Sequence, residues 1–373
     1  MALPRAALAL AMLAPLLAGC FGGLFGEART EWAFEATQLD LMPGLGHTGK
    51  GVTIAVLDTG ANRGHPALAH LFDGDRANGE VIGFQDFVNG RNGFANAYDD
   101  VGHGSHVLGI LGASGSSLGD KLVYAGVDLQ GGAPEALYLV AKVCPAPTEQ
   151  NPKGSCDTSA VTEAVKWAAS QKAQVISLSL GSDAAPFPNS LLDDQGNALQ
   201  DAINAAIDAG IVVVASAGNA GPDNTDVLVP SSIPGVLSVG AINKDLQVWD
   251  GSSRGDDAGN ACQTIPILGT RGRCDPDKKP ELVAPGVEIL SSWTGETYAK
   301  ATGTSQACPF VASTVALLLE GRPVLKDRAG VERVKEVLVQ TAKHVAGQAT
   351  PHDRAAGYGI VQAAAALEAY RPA

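Results

Sequence analysis

The chain has 373 residues, 45% hydrophobic and 17% charged, which is too apolar for a disordered polypeptide and long enough to bury a large core. Lys and Arg total 26 against 39 Asp and Glu, and the formal charge of −13 excludes a general nucleic-acid binder, whose affinity rests on neutralising phosphates. With 45 Gly and 21 Pro the chain must turn often; 5% aromatic content argues against stacking platforms, and no heptad series or repeat of fixed length runs through it.

Residues 1–19, MALPRAALALAMLAPLLAG, carry one Arg and then an Ala/Leu run broken at Pro15. The run is shorter than the roughly 20 residues a spanning helix needs, and it has the layout of a secretory signal. Leu17-Ala18-Gly19-Cys20 resembles the bacterial lipobox, in which the cysteine thiol is acylated and becomes the mature N-terminus. The expectation is a lipoprotein-type signal peptide over 1–19, a lipidated Cys20 and flexible tether over 20–30, and one folded domain over 31–373. That domain would sit outside the cytoplasm, in the cell envelope, attached to a membrane through Cys20; simple secretion is the alternative.

After the tether, short apolar runs rich in β-branched residues alternate with helical patterns. Val52–Leu57, Leu137–Val143, Val175–Leu180, Ile211–Ala215 and Val236–Val239 read as buried parallel strands. Between them Val161, Ala164, Val165 and Ala168 form a helical stripe behind Asp157 or Thr158 as cap, and Leu199–Ala209 repeats the pattern before Gly210. Strand, helix and strand in succession predict an α/β sheet with right-handed crossovers. No Pro/Ser linker divides residues 31–373, which favours one large domain.

Beyond Cys20, Cys144 and Cys156 enclose 11 residues, and so do Cys262 and Cys274. Two local disulfides, Cys144 with Cys156 and Cys262 with Cys274, are the simplest pairing for an exported chain. Zinc is a weaker reading, because no cysteine belongs to a C-x-x-C pair or has a histidine at ligand spacing. Cys308, in an apolar run, reads as a small buried hydrophobe.

Three local patterns carry chemistry. Asp58 ends the run TIAVLD and precedes a Thr59-Gly60 turn, at the carboxyl end of a strand where functional groups gather in parallel sheets; alone it could equally cap the turn. His103 stands between Gly102 and Gly104, which let another chain approach it closely, while His106 should pack inside the following helix rather than act as a base. A metal reading of these two histidines lacks a third ligand. Ser305, in Gly303-Thr304-Ser305-Gln306-Ala307-Cys308-Pro309, heads a helix apolar on nearly every side, where the helix N-terminus offers positive potential; its bland reading is an N-cap.

The order Asp58, His103, Ser305 is that of the subtilisin triad. With VLDTG, GHGSHVLG, SLSLG, ASAGN, LVAPG, GTSQACP and the late GYGIVQAAAAL, the chain resembles the subtilases, the subtilisin-like serine peptidases, over essentially its whole mature length. The resemblance implies a three-layer α/β/α fold around a mostly parallel sheet, and an endopeptidase that takes polypeptide substrates and requires no cofactor. It assigns Ser305 as nucleophile, His103 as base, Asp58 as the orienting carboxylate and the Asn219 amide as oxyanion donor. It further implies that Ser179, Leu180 and Gly181 face Ala217 and Gly218 across the primary specificity pocket. The stretch around Gly154 to Cys156 would be the edge that pairs with an extended substrate.

Departures from the pattern also shape the expectations. Only a short segment separates Cys20 from the catalytic resemblance, so no propeptide of the usual length is expected. Ala67 stands where a calcium-ligating Asp is common. Asp73, Asp75, Asn78 and Glu80 could hold structural calcium, but a solvated acidic turn is the stronger reading and no metal ligand is assigned. Gln306 and Phe310 replace a common Met and His, which should tune the site. The competing readings are a catalytically inactive subtilase fold serving as an envelope binding or scaffold protein, which the complete triad disfavours, and a sedolisin-type acid peptidase, which would carry Glu in place of His103.

Overall fold

The computed structural model describes residues 30–114, 129–181, 194–223, 227–255, 263–265, 269–271, 278–348 and 351–370. The signal segment, Cys20, Cys262 and Cys274 lie outside these residues.

The continuous apolar runs become strands buried on both faces. They are β1 (Thr53–Asp58), β3 (Leu137–Lys142), β4 (Val175–Leu178), β5 (Val212–Ser216) and β6 (Leu237–Ile242), each ending within a few residues of its expected limit. Two strands of the main sheet lie outside the expected runs: β2 (Glu80–Asp86), a half-exposed edge strand with a register shift between Val81 and Gly83, and β9 (Leu282–Pro285), only four residues long. A two-stranded hairpin, β7 (Gln263–Ile265) with β8 (Gly269–Arg271), lies between β6 and β9 in sequence. The main sheet has the order β2-β3-β1-β4-β5-β6-β9, and every neighbouring pair is parallel.

The helices are α1 (Glu31–Thr37), α2 (His103–Gly112), α3 (Thr158–Ser170), α4 (Asp194–Asp208), α5 (Thr304–Leu319), α6 (Arg328–Gln340) and α7 (Ala363–Ala369). Helix α3 begins where Asp157 accepts the Ser159 N–H at 2.7 Å, so the aspartate of the two anticipated residues is the cap. Helix α4 is followed by Gly210 at φ +88°, a left-handed turn that suits glycine. Helix α2 packs on α5, and α3 packs on α4, giving helical layers on the two faces of the sheet. An antiparallel pair, β10 (Ile289–Ser292) with β11 (Tyr298–Ala301), closes over α2. Among the described residues no helix is long and apolar enough to cross a membrane.

Helix α5 lies against β4, β5, β6 and β9 and is buried at every position except Ser305. Its Phe310 meets Phe34 of α1 edge to face, with ring centroids 5.2 Å apart. Of the two bridges expected, Cys144 and Cys156 form theirs, closing the loop between β3 and α3. The other expected bridge, Cys262 with Cys274, falls on two cysteines that are both outside the described residues. Cys308 is a buried free thiol, as its apolar surroundings in sequence suggest.

The edge of the sheet at β9 is pinned by charge. Glu281, fully buried, accepts from Lys279 Nζ at 2.7 Å and from the Ser238 N–H of β6 at 2.8 Å, and lies 3.5 Å from Lys335 Nζ of α6. Removing the carboxylate would take a shared counter-charge from two buried ammonium groups, an effect of about 3–5 kcal/mol when one partner of a buried pair is lost. Glu281→Ala is expected to lower the urea midpoint by that equivalent at unchanged denaturant slope; a loss below about 1 kcal/mol would show that the cluster does not hold the edge.

Candidate active site

The strand order reverses at β1: the next strand of the sheet in sequence lies on one side of it and β4 on the other. In parallel sheets a crevice opens outside the carboxyl ends of strands at such a reversal. Asp58 is the last residue of β1, Ser179 follows β4, and Ala217, Gly218 and Asn219 follow β5, so the motif residues meet at one crevice.

Asp58 is 1% exposed. Its Oδ1 accepts the Thr59 N–H at 2.7 Å and lies 2.7 Å from His103 Nδ1, while its backbone carbonyl accepts from Val143 and Cys144 of the β3 extension. His103 opens α2. The flanking glycines are required by close neighbours within this chain: a Cβ on Gly102 would lie 2.7 Å from the Trp293 ring, and one on Gly104 would lie 2.3 Å from the Gly60 carbonyl oxygen. Gly102 also has φ +102°. The ring is thus held on Asp58 while 28% of the side chain stays open.

Two residues that the motif reading passed over fix this arrangement. Asp99 Oδ1 accepts from the N–H groups of Val101 and Gly102 and from the Thr59 hydroxyl, and its Oδ2 accepts from the Ser105 N–H and hydroxyl. Burial opposes its charge, but these donors outweigh it and its pKa falls below the ordinary value. Lys142, fully buried at the end of β3, donates to the Thr59 carbonyl at 2.8 Å, the Cys144 carbonyl at 2.9 Å and Asp100 at 2.6 Å. Together they lock the turn after Asp58 to the turn before His103. The partners lie 40 and 83 residues apart in sequence, so no local pattern announces them.

Burial alone would depress the His103 imidazole. The Asp58 carboxylate, through charge and hydrogen bond, and Asp99 behind it reverse this, and the pKa stands above the ordinary histidine value. His106 follows the opposite course. It is buried, its Nε2 donates to the Ile289 and Ala299 carbonyls, and burial with the nearby His103 charge brings its pKa down to about 4. It is the packed, hydrogen-bonded histidine the sequence suggests.

Ser305 is not the N-cap of α5; Gly303 is, and Ser305 lies one residue inside the helix. Its hydroxyl donates to the Ser179 carbonyl at 3.0 Å, and the Ser179 hydroxyl donates to the Ser305 carbonyl at 2.9 Å. Pro309 explains the second bond. In a regular helix the N–H four residues on would satisfy the Ser305 carbonyl, and proline has none. The Ser179 hydroxyl supplies the missing donor and ties the end of β4 to the first turn of α5.

Asn219 is oriented from the same turn. Its Oδ1 accepts from the Thr304 N–H at 2.9 Å and the Thr304 hydroxyl at 3.0 Å, while the Gly218 N–H donates to that hydroxyl. Holding the oxygen leaves Nδ2 as the outward donor. A Cβ on Gly303 would come 3.2 Å from that nitrogen, so the glycine keeps the space beside it clear.

The remaining sequence candidates fall into place unevenly. Gly181 approaches Gly218 through Leu228, whose side chain lies against both glycines, while the Leu180 carbonyl accepts from Ser216 Oγ and Ser179 bonds Ser305. At the supposed substrate edge, Asn151 already holds the N–H of Gly154 and both backbone groups of Ser155, which leaves any pairing to neighbouring groups toward Cys156. Asp73 and Asp75 accept from N–H groups of their own turn, and Glu80 pairs with Arg76; Ala67 is fully buried. Among the described residues no group of three or more His, Cys, Asp and Glu is arranged to hold a metal ion. Burial pushes the Cys308 thiol up to about 11, which keeps it protonated near neutral pH.

A model of the subtilase family matches residues 49–359. Serine protease AprX of Bacillus subtilis is 33% identical over 313 residues, covering 78% of this chain and 61% of AprX. M-protease of Shouchella clausii is 30% identical over 337 residues, 90% of this chain and 69% of the relative. Subtilisin Savinase of Lederbergia lenta is 30% identical over 292 residues, 78% of this chain and 85% of the relative. The chain therefore spans less than two thirds of AprX and more than that of the other two.

The electrostatics can be tested without a substrate. In a heteronuclear NMR titration His103 is expected to titrate above about 6.5 and His106 near 4, with Asp58→Asn lowering the His103 midpoint. Coincident titration of both rings near 6.5 would contradict the Asp58 contact.

Proposed function

The chain belongs to the subtilase family, and we propose that it is a serine endopeptidase in which Asp58, His103 and Ser305 act as the catalytic triad. The observation that carries this reading is the His103–Asp58 contact of 2.7 Å, at the crevice where α5 exposes a single residue, Ser305.

The chemistry follows from the groups present. A serine hydroxyl is a poor nucleophile at neutral pH until a base accepts its proton. Rotation of Ser305 Oγ from the Ser179 carbonyl toward His103 Nε2 would let the imidazole take that proton as Oγ attacks the peptide carbonyl. Asp58 holds Nδ1–H, fixing the tautomer and stabilising the imidazolium. The elevated His103 pKa marks how strongly the cation is favoured, and it means that the neutral base is lost as pH falls through a value above that of ordinary histidine.

Negative charge then grows on the former carbonyl oxygen. The Asn219 Nδ2 group and the Ser305 N–H, which lies in the first turn of α5 where N–H groups have no partner within the helix, are the donors for it. Collapse expels the amine with the proton from His103, leaving an acyl-Ser305 ester. Water, deprotonated by the same base, releases the acid.

Ser305→Ala is expected to abolish hydrolysis of a denatured protein substrate while circular dichroism and melting stay those of the parent. A fluorophosphonate should label the parent at Ser305 near neutral pH and leave the variant unlabelled. Unchanged turnover in the purified variant would refute the assignment.

We further read the protein as exported, with residues 1–19 as its signal and Cys20 as a lipid-bearing N-terminus. The support is the apolar run and the Leu17-Ala18-Gly19-Cys20 string, together with a disulfide that suits an oxidising compartment. In the same compartment Cys262 and Cys274 would pair as a second local bridge, a reading that rests on their spacing alone. Cys20→Ser is expected to move the protein from the detergent phase to the aqueous phase on phase separation. A variant that still partitions with detergent would overturn the anchor.

A further inference from the structure

Leu228 belongs to none of the motifs, yet its side chain joins the two segments that would wall the primary specificity pocket. Its N–H donates to the Ala217 carbonyl at 2.8 Å, which lays its backbone along Ala217–Gly218. Its side chain then crosses to the other segment. A Cβ on Gly218 would lie 2.4 Å from Leu228 Cγ and 2.6 Å from its Cδ1, and a Cβ on Gly181 would lie 3.3 Å from Leu228 Cβ and 3.5 Å from the same Cδ1. One methyl group therefore reaches both walls. Glycine at 218, with φ +108°, is the residue that leaves it room.

We infer that Leu228 floors this pocket and restricts the substrate residue on the acyl side of the scissile bond to small uncharged side chains: glycine, alanine or serine. The inference rests on the peptidase reading above and deepens it by naming the substrate class.

The size argument is direct. A phenyl ring or a long aliphatic chain lying between two walls needs a carbon–carbon contact of about 3.5–4.0 Å on each side, and hence about 7–8 Å from wall to wall. Leu228 already occupies that span. A methyl or hydroxymethyl group ends above the obstruction and covers the exposed part of the leucine, which is only half-buried. An isobutyl floor is itself no acceptor for an ammonium or guanidinium head, which disfavours lysine and arginine against a small neutral side chain.

The test compares peptide anilides of one sequence that differ only in the residue before the scissile bond: alanine, serine, leucine, phenylalanine or lysine. The parent is expected to favour alanine over phenylalanine in kcat/KM by at least about tenfold, the scale set by side-chain fit in an apolar pocket. Leu228→Gly should lower that ratio by at least about tenfold, chiefly by raising the phenylalanine value. Leu228→Ala should move it in the same direction and serves if the glycine variant does not fold. A parent that prefers phenylalanine or leucine, or a ratio unmoved within about twofold in the folded variants, overturns the inference. Fluorophosphonate labelling of Ser305 separates the two failures. A labelled, active protein with the wrong preference overturns the pocket alone, whereas a protein that neither labels nor cleaves any of the peptides overturns the peptidase reading and the pocket with it.

Discussion

The architecture depends on burying α5. A helix covered on all sides has no solvated face along which to slide or rotate, so the position of its first turn is set by the strands and helices packed on it. Ser305 is the single residue through which this helix reaches the crevice. The turn is fixed further by side chains that replace what a buried helix start and a proline leave unsatisfied: the Ser179 hydroxyl on the Ser305 carbonyl and the Asn219 oxygen on the Thr304 N–H. The same bonds that complete the helix aim the Asn219 amide and hold the Ser305 backbone.

The charges around the crevice are arranged as alternating signs. Asp58 and Asp99 favour the charged form of His103, and Lys142 anchors the backbone between them through Thr59 while pairing with Asp100. Each buried charge has at least one charged or strongly polar partner, which is the condition for burying it at tolerable cost. The turn carrying Asp58 and the helix carrying His103 thereby become one rigid unit, as the proposed reaction requires of groups that must stay within a few tenths of an ångström of their working positions.

Reactivity is excluded elsewhere by burial. Cys308 lies three residues beyond Ser305, with its sulfur 3.6 Å from Ser177 Oγ and from the Val214 carbonyl, and its elevated pKa keeps the thiolate scarce. His106, three residues beyond His103, is committed to two carbonyls and remains neutral over most of the pH range. Two potentially competing groups thus serve packing, while the accessible neighbours carry the proposed chemistry.

The strands β1 and β3 to β6 were legible because a strand buried on both faces must be a continuous apolar run. β2 was not, since an edge strand with a half-exposed face lacks that run. β9 was not read as a strand because its short apolar run ends in Pro285-Gly286, a turn signal, although its LVAP sequence was visible as a motif. Asp58, His103 and Ser305 could be singled out because each sits in a short-range pattern: a carboxylate ending a strand, a histidine between glycines, a serine before an apolar helix; each alone also allowed a purely structural role, and it was their order together that resembled a triad. The Cys144–Cys156 bridge was readable for the same reason, as a local loop. The roles of Asp99, Lys142, Glu281 and Leu228 depend on groups distant in the chain, and only tertiary structure selects those partners. The sequence by itself determined the elements, whose spacing is set by covalent geometry and solvent exclusion; the three-dimensional packing decided which turns touch, and so which buried charges join the turn after Asp58 to the turn before His103 and which side chain bridges Gly181 and Gly218.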